Sequence, residues 1–493
     1  MVLAALLMTA APAADVLCLN DGRVFDGLEL KRVEGGVEIA FENGAVHVPN
    51  ELVLDALIEG ASTFVPRTPE EKEKFAEGFV PFEGRWMSVK RRDGLVARRL
   101  EERRAAIEDM RTHSTWANRH EVETKNFQFH FTIPEHLCAG LRERMEAYYE
   151  VFTKEWKVRR DKREIKLPVN IYSDRREFNR TAVAGSGGGM LAYFEFKGDY
   201  DLNLFYDRLD PVLTEMILYH ETNHYLQKLL NRDFLMPHFP GESLAEYYGA
   251  SRWDPEKRMF EVGLLQEGRL AEIREDILGG QHMPIRKLIL EEGYAHYTWG
   301  WSLIHFLMSD ERYRAKCKRF FETLANGKDV RREVGGLNLK SVEMEEVLRV
   351  FMDELGVDDD ELLELESAWH AYVEGLFDQL SPAGKAKAAD NAARHRLEIK
   401  AERLYREAID EGASSAHTYH GFAGLLMGKG KRDEAAEMWR EAIARDPLTA
   451  EYYASLAFAL KASDEKESER LMKLAQELDP EVETEWFSFL RTD

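Results

Sequence analysis

Two histidines one helical turn apart are the first residues in this sequence whose spacing suggests chemistry. His220 and His224 enclose Glu221 in the segment HETNH. Side chains four residues apart on a helix share a face, so both imidazoles can bind one ion at ~2.1 Å. Glu221 is rotated about 100° from His220 and can reach water at that ion without binding the ion itself. The segment predicts a metal site that activates water for hydrolysis.

A third protein ligand tests this prediction, because a catalytic zinc site combines three protein ligands with one open position. Glu242, in the segment PGESLAEYY, lies 18 positions after His224. The intervening residues can end the first helix and turn back, so that Glu242 faces the histidines from a second helix. Glu246 lies one turn beyond Glu242, where it can accept the other imidazole N–H of a ligand histidine and fix its tautomer.

These segments resemble the gluzincin metallopeptidases, which include thermolysin and the aminopeptidase N group and in which HExxH is followed by a glutamate on the next helix. The segment ESLAEY is similar to their third-ligand segment, with Gly241 and Ser243 where Asn and Gly are usual. The resemblance implies a zinc ion held by His220, His224 and Glu242.

A later segment, YTWGWSLIHFL, is similar to the Tyr-x-x-Gly segment of aminopeptidase-N-like enzymes. The resemblance implies that Tyr297 donates a hydrogen bond to the oxyanion, with Tyr294 and His296 as weaker substitutes. It also implies that Glu221 acts as the general base toward metal-activated water. A neutral phenol beside a metal can stabilise developing negative charge without titrating at neutral pH.

Residues 126–376 carry this resemblance and look most like a largely uncharacterised family of secreted bacterial gluzincin-like proteins. Aminopeptidases bind the free amine of their substrate with a Gly-x-Met-x-Asn segment. This sequence has only GGMLAY in the comparable place, so we expect an endo- or oligopeptidase. A catalytically silent exported scaffold and a zinc hydrolase of a non-peptide substrate are the alternatives. Glu221 and Tyr297 favour an enzyme, because a silent scaffold has no need of a base and an oxyanion donor.

The elements that must position these residues can be predicted from local signals. Asp210 and Pro211 form a helix start, and His220 and His224 lie on the inward face of that helix. A β-α-β layer is predicted before this helix, from the strand NFQFHFT, the helix EHLCAGLRERMEAYYEVFTKEW and the strand LPVNIYS. The strand DLNLFYD is expected at a sheet edge, where a peptide could pair with it. The glycine cluster 185–189 lacks a GxxxxGK[ST] pattern and is predicted to be a turn.

The N-terminal third shows hairpin signals and a possible export signal. Between Val16 and about Ile58, short alternating runs separated by Asp-Gly and Asn-Gly predict an antiparallel sheet or small barrel of about five strands. A hairpin, FVPFEGRWMSV, and a charged helix from Leu95 to about Thr112 follow. The apolar start, MVLAALLMTAAPAADV, ends in a small-x-small motif, so we expect export to the periplasm or beyond the cell. A frayed apolar terminus is the alternative, because no Lys or Arg precedes the run.

Composition and charge exclude two classes of function. The chain has 493 residues and a net charge of -23, and its one Lys/Arg-rich segment, KRRDGLVARRLEERR, is interleaved with acid. Because phosphate binding needs a basic surface, a nucleic-acid partner is not expected. No segment approaches the ~20 apolar residues of a transmembrane helix. Cys18, Cys138 and Cys317 form no CxxC pair, so any metal must use histidine and carboxylate.

The C-terminal region contains an internal repeat. The segment AERLYREAI, which starts at Ala401, is similar to AAEMWREAI, which starts at Ala435. The offset of 34 residues is the tetratricopeptide period. The region resembles tetratricopeptide repeats, helical hairpins that bind a peptide or protein partner on a concave face, although bracing of the catalytic domain is equally compatible.

The predicted fold class is therefore multidomain α+β, with a zincin-like catalytic domain whose second half is mainly helical. The predicted partners are a peptide or protein substrate and a protein on the repeats. The predicted domains are a signal peptide (1–14), a small antiparallel β domain (15–62), a hairpin and helical linker (63–118), a gluzincin-like metallopeptidase domain (119–378) and tetratricopeptide-like repeats (379–493).

Overall fold

Helices form most of the regular structure, and small sheets form the rest. The computed structural model describes residues 15–20, 23–58, 66, 68–82, 85–158, 166–182, 191–195, 200–208, 210–326, 332–334, 339–480 and 482. The fold is mixed α and β with a helical C-terminal half, as the sequence predicts. The predicted signal peptide, the glycine cluster 185–189 and the turn at 83–84 lie outside these residues.

Two compact units divide the chain. One contains the described residues within Met1–His113 and Lys431–Ser488, and the other contains those within Ser114–Gly430. Among the described residues, no helix has the length and apolar character needed to cross a membrane.

The first unit begins with a five-stranded antiparallel sheet, as the hairpin signals predict. Gly35 allows the tight turn that follows Val33, with a φ of +84°. The strands are β1 (Asp15–Leu19), β2 (Val24–Val33), β3 (Gly36–Phe41), β4 (Gly44–Pro49) and β5 (Val53–Leu57). Their order in the sheet is β4-β3-β2-β1-β5.

A short helix, a hairpin and a long helix follow this sheet. They are α1 (Pro69–Ala76), β6 (Phe79–Phe82), β7 (Arg85–Ser88) and α2 (Val89–Thr112). Helix α2 begins six residues before the predicted Leu95, because the Ser88 hydroxyl caps it by accepting from the Arg91 N–H at 3.4 Å. Its buried residues Val96 and Leu100 pack in one core with residues of β1 and β5.

The second unit begins with a five-stranded mixed sheet and confirms the predicted β-α-β order. The elements are β8 (His120–Glu123), β9 (Phe127–Phe131), α3 (Glu135–Glu155), β10 (Leu167–Tyr172), α4 (Arg175–Thr181), β11 (Ala192–Glu195) and β12 (Asp201–Phe205). The strand order is β11-β12-β10-β9-β8. Strands β9, β10 and β12 are parallel, whereas β8 and β11 run antiparallel at the two edges.

The prediction that DLNLFYD is an edge strand is wrong. This strand, β12, pairs on one side with β10 and on the other with β11. Leu202 and Leu204 are fully buried, and the Asn203 side chain accepts from Asn170 at 3.0 Å, so both faces of the strand are covered. The alternation in the sequence does not distinguish a central strand from an edge strand, and β11 occupies the edge.

Helices dominate the rest of this unit and share one hydrophobic core with the sheet. Gly300 allows a close helix crossing, since a Cβ there would lie 2.1 Å from the Ser243 hydroxyl oxygen. The elements are α5 (Pro211–Lys228), α6 (His238–Gly249), β13 (Arg252–Asp254), β14 (Met259–Glu261), α7 (Glu267–Leu278), α8 (Ile285–Leu290), α9 (Ala295–Ser309), α10 (Glu311–Asn326), β15 (Arg332–Val334), β16 (Leu339–Ser341), α11 (Met344–Leu355), α12 (Asp359–Glu374) and α13 (Pro382–Arg394).

Within the described part of the predicted repeat region (379–493), five helices follow α13. They are α14 (Glu398–Asp410), α15 (Ala416–Gly428), α16 (Arg432–Arg445), α17 (Ala450–Leu460) and α18 (Glu465–Leu478). Helices α16 and α17 begin 34 positions after α14 and α15. Helices α14 and α15 belong to the second unit, whereas α16 to α18 belong to the first. There, Arg23 of the N-terminal sheet region pairs with Asp446 at 2.9 Å.

Candidate metal centre

Helix α5 carries the HETNH segment and is fixed by a buried polar network on its other side. The helix begins as predicted, with Asp210 accepting from the Leu213 N–H at 3.0 Å. The fully buried Asn223 donates to the Tyr148 hydroxyl of α3 at 2.8 Å. Gln227 donates to Asn223 at 2.8 Å and to the Gly241 carbonyl of α6 at 2.9 Å. These bonds set the rotation of α5 about its axis and bring α6 against it.

The three predicted ligands come together between α5 and α6. The Oε2 atom of Glu242 lies 3.2 Å from Nε2 of His220 and 3.5 Å from Nε2 of His224. The ligand atoms of the three residues all lie within 4.8 Å of one another, so the group could hold a metal ion. The three side chains are 13 to 21% exposed. The three ligand side chains are therefore mostly buried but still reach solvent.

One buried atom of this group makes no well-directed hydrogen bond. Glu242 Oε2 is buried and forms no hydrogen bond of normal geometry among the described residues, although two imidazole nitrogens lie near it. A buried carboxylate oxygen in this position is stabilised by a nearby positive charge. A cation would satisfy it together with the lone pairs of both imidazoles. Two histidines and a carboxylate form a donor set that suits a divalent transition metal.

The charges around the ligands favour a positive ion. Burial by itself raises the pKa of Glu242, but His224 and His220 hold this pKa well below its usual range. Burial lowers the pKa of His220, but Glu242, Glu246 and Glu221 together raise it well above its usual range. Without a metal, His220 therefore keeps a proton in the position where a metal ion would bind.

Glu246 lies against the opposite nitrogen of His220, as the sequence leads us to expect. Its Oε1 atom is 3.4 Å from His220 Nδ1. The guanidinium of Arg269 donates to both Glu246 oxygens, from Nη2 at 2.9 Å and from Nε at 3.1 Å. Burial raises the pKa of Glu246, but Arg269 and His220 outweigh it and lower this pKa to about 2. Glu246 is therefore an anion held in a fixed orientation.

Arg269 belongs to a network that the sequence did not reveal. It donates to the hydroxyl of Tyr294, which donates in turn to Glu272 at 3.0 Å. Asn391 of α13 donates to Glu272 and to Tyr294. Arg269 lies in an ordinary helical pattern, EGRLAEI, and Asn391 is 119 positions from Glu272, so no local signal marks either residue.

Tyr297 lies beside the ligands at the start of α9. Its ring centroid is 6.1 Å from that of His220, with the planes only 18° apart. The Arg269 guanidinium lies 5.8 Å from the Tyr297 ring centroid. Burial raises the pKa of Tyr297, and the charges of Glu242 and Glu246 raise it further. The phenol therefore stays protonated near neutral pH and can donate a hydrogen bond.

Glu221 is free of hydrogen bonds within the described residues, whereas Tyr294 and His296, the alternatives to Tyr297, are not. Among the described residues, the half-buried Glu221 carboxylate makes no hydrogen bond or ion pair, yet its charge acts on both His220 and Tyr297. The Tyr294 hydroxyl is bonded to Arg269 and Glu272, and His296 is fully buried. The Glu221 carboxylate is therefore free to act at the ligand cluster, and the Tyr297 hydroxyl lies at the cluster as a donor to Glu242.

Comparison with protein-family models found no match to this chain, and comparison with curated proteins found no significant match.

Proposed function

We propose that this protein is a zinc-dependent peptide hydrolase, an endo- or oligopeptidase, whose metal ligands are His220, His224 and Glu242. The observation that carries the proposal is the buried Oε2 atom of Glu242, which lies 3.2 and 3.5 Å from two imidazole nitrogens and, among the described residues, makes no hydrogen bond of normal geometry. Among divalent transition metals, zinc commonly takes two histidines and one glutamate in hydrolases. The segments HETNH and ESLAEY resemble those of gluzincins, and we propose a gluzincin-like fold for residues 119–378.

Zinc at this position would polarise a carbonyl and lower the pKa of water. Glu221 takes a proton from the attacking water and transfers it to the leaving amine. Tyr297 donates its O–H to the carbonyl oxygen as negative charge develops there. Glu246 accepts from Nδ1 of His220, which leaves Nε2 unprotonated as the ligand atom. Arg269 holds Glu246 in place for this role.

The neighbouring sheet edge supports a peptide as the substrate. Strand β11 runs antiparallel at the edge of the sheet and packs next to α5. An extended peptide can add to such an edge through main-chain hydrogen bonds. We therefore transfer to β11 the peptide-pairing role that the sequence suggested for β12.

The C-terminal helices and the N-terminus complete the proposal. The 34-residue offset between α14–α15 and α16–α17 supports tetratricopeptide-like hairpins, with fully buried small residues at Ala408, Ala442 and Ala475. These helices would bind a peptide or protein partner, or brace the chain. The apolar N-terminus would direct export.

A peptide-cleavage assay tests the catalytic part of this proposal. The zinc-loaded wild type should cleave a mixed peptide library, and Glu221→Gln should retain zinc while losing at least 100-fold in rate. Glu261→Gln, which changes a carboxylate of β14 outside the cluster, is the control and should cleave normally. Zinc binding without cleavage of any peptide would favour a silent scaffold or a hydrolase of non-peptide substrates.

A further inference from the structure

His238 lies next to the ligand cluster but is neither a ligand nor the base. It precedes Glu242 by four residues on α6, so the two side chains share one helix face with Glu246. Its ring centroid is 5.8 Å from that of Tyr297, at an angle of 82°. His238 is therefore a direct neighbour of the tyrosine to which we assign oxyanion binding.

The hydrogen bonds of a second histidine determine where His238 carries its proton. Nε2 of His296 lies 2.8 Å from the Leu288 carbonyl oxygen, which can only accept, so Nε2 carries a proton. His296 is fully buried, and burial together with His238 lowers its pKa, so its ring is neutral. Its Nδ1 atom is then a lone-pair acceptor. The Nδ1 atom of His238 lies 2.5 Å away and must be the donor.

In the neutral form of the ring, this assignment leaves one acceptor on His238. A neutral imidazole with its proton on Nδ1 has a lone pair on Nε2. The two ring nitrogens point in widely different directions, so Nε2 faces away from the buried His296. Among the described residues, Nε2 of His238 has no hydrogen-bond partner. The pair of histidines thus holds an acceptor beside Tyr297, oriented by a buried hydrogen bond.

We propose that Nε2 of His238 accepts a hydrogen bond from a main-chain N–H of the bound substrate next to the scissile carbonyl. The inference rests on the proposed peptide hydrolysis and specifies its substrate class. When a bound peptide places its scissile carbonyl oxygen at Tyr297, the nearest main-chain N–H belongs to the same or the adjacent residue. This N–H then lies about as far from Tyr297 as the neighbouring ring of His238 does. The site would therefore select chains with an unsubstituted amide at that position over esters and N-alkylated amides.

The first experiment measures substrate binding without turnover. The probes are two dipeptide hydroxamates, one with an N–H and one with an N–CH3 at the amide next to the hydroxamate, and calorimetry gives their Kd on zinc-loaded protein. N-methylation should weaken binding to the wild type about tenfold, the value of one hydrogen bond. In His238→Asn, which keeps a donor near the Nδ1 position but lacks Nε2, the penalty should fall below about twofold.

Two further variants separate this role from a structural one. His238→Gln places an amide near the Nε2 position and should restore part of the N-methylation penalty. His282→Asn changes a more exposed histidine outside the cluster and should show the full wild-type penalty. Equal penalties in wild type and His238→Asn, or failure of the hydroxamates to bind, would overturn the proposal.

A second experiment reads the tautomer in the metal-free protein. Long-range 1H–15N spectra of 15N-histidine-labelled protein, assigned with His238→Asn, should show the His238 proton on Nδ1 and a free lone pair on Nε2. A proton on Nε2 would overturn the proposal regardless of any activity. If the tautomer and the binding differences are as expected but no peptide is cleaved, the proposed hydrolysis fails while the N–H recognition by His238 stands.

Discussion

Arg269 and Glu246 form a two-point ion pair, with donor–acceptor distances of 2.9 and 3.1 Å, directly behind His220. The same guanidinium lies over the rings of Tyr294 and Tyr297. One cation therefore orients both the anion behind a proposed ligand and the proposed oxyanion donor.

Arg269→Lys should weaken zinc binding. Lysine keeps the charge but lacks the rigid planar pair of donors that holds both oxygens of Glu246, so the carboxylate behind His220 is fixed less firmly. We expect an increase in zinc Kd of about 10- to 100-fold, measured by competition with a chelator. Arg252→Lys is the control, because Arg252 is an exposed arginine that pairs with Glu261 outside the cluster. An unchanged Kd would show that Glu246 does not need Arg269 for its orientation.

Zinc binding should release a proton and weaken as pH falls. In the metal-free protein the pKa of His220 is raised, so below that pKa zinc must displace a proton from the ring. The zinc affinity should then fall about tenfold for each pH unit below this pKa. Calorimetry at pH 7 in buffers of different ionisation enthalpy measures the number of protons released. A value of zero would contradict a protonated His220.

Gly300→Ala should destabilise the second unit. A Cβ at this position would lie 2.1 Å from the Ser243 hydroxyl oxygen, so either this hydroxyl loses its hydrogen bond to the His296 carbonyl or α9 and α6 move apart. We expect a loss of about 1–3 kcal/mol in the free energy of unfolding, measured with urea. Gly293→Ala is the matched control, because a Cβ there meets no atom within 4 Å. Equal stabilities of the two variants would mean that the crossing can relax.

The second unit should lose stability as pH rises above neutrality. His417 Nε2 lies 3.4 Å from Asp390 Oδ2. Burial lowers the pKa of His417, but Asp390 raises it to a net value of about 9 from 6.5. The protonated ring contributes fully below pH 6.5, and its contribution disappears as pH rises through about 9.

The expected loss across that range is about 3 kcal/mol in the free energy of unfolding. His417→Gln should remove this part of the pH dependence, which urea unfolding at pH 6.5 and pH 9.5 would reveal. An equal pH dependence in the variant would assign the loss to other groups.

Local sequence signals predicted the parts of the site that depend on one or two helices. Asp210 and Pro211 define the start of α5, and the four-residue spacing of His220 and His224 determines their common face. Glu242 was found because a short connection to the next helix limits where that helix can lie. Each of these signals acts over fewer than about 30 residues.

The remaining features depend on contacts between distant segments. His238 and His296 are 58 positions apart, and neither has a spacing that predicts their short contact. Arg269 resembles any solvated helical arginine in the sequence. The place of β12 within the sheet depends on the pairing of β11, which alternation of polar and apolar residues does not specify.

The most direct test of the central claim is the zinc content of the purified protein and of its Glu242→Ala variant. Elemental analysis after dialysis should give about one zinc per wild-type chain and less than about a tenth of that in the variant. Glu261→Ala, measured in parallel, should match the wild type. A wild type without zinc, or a Glu242→Ala variant that retains it, would contradict the metal centre formed by His220, His224 and Glu242.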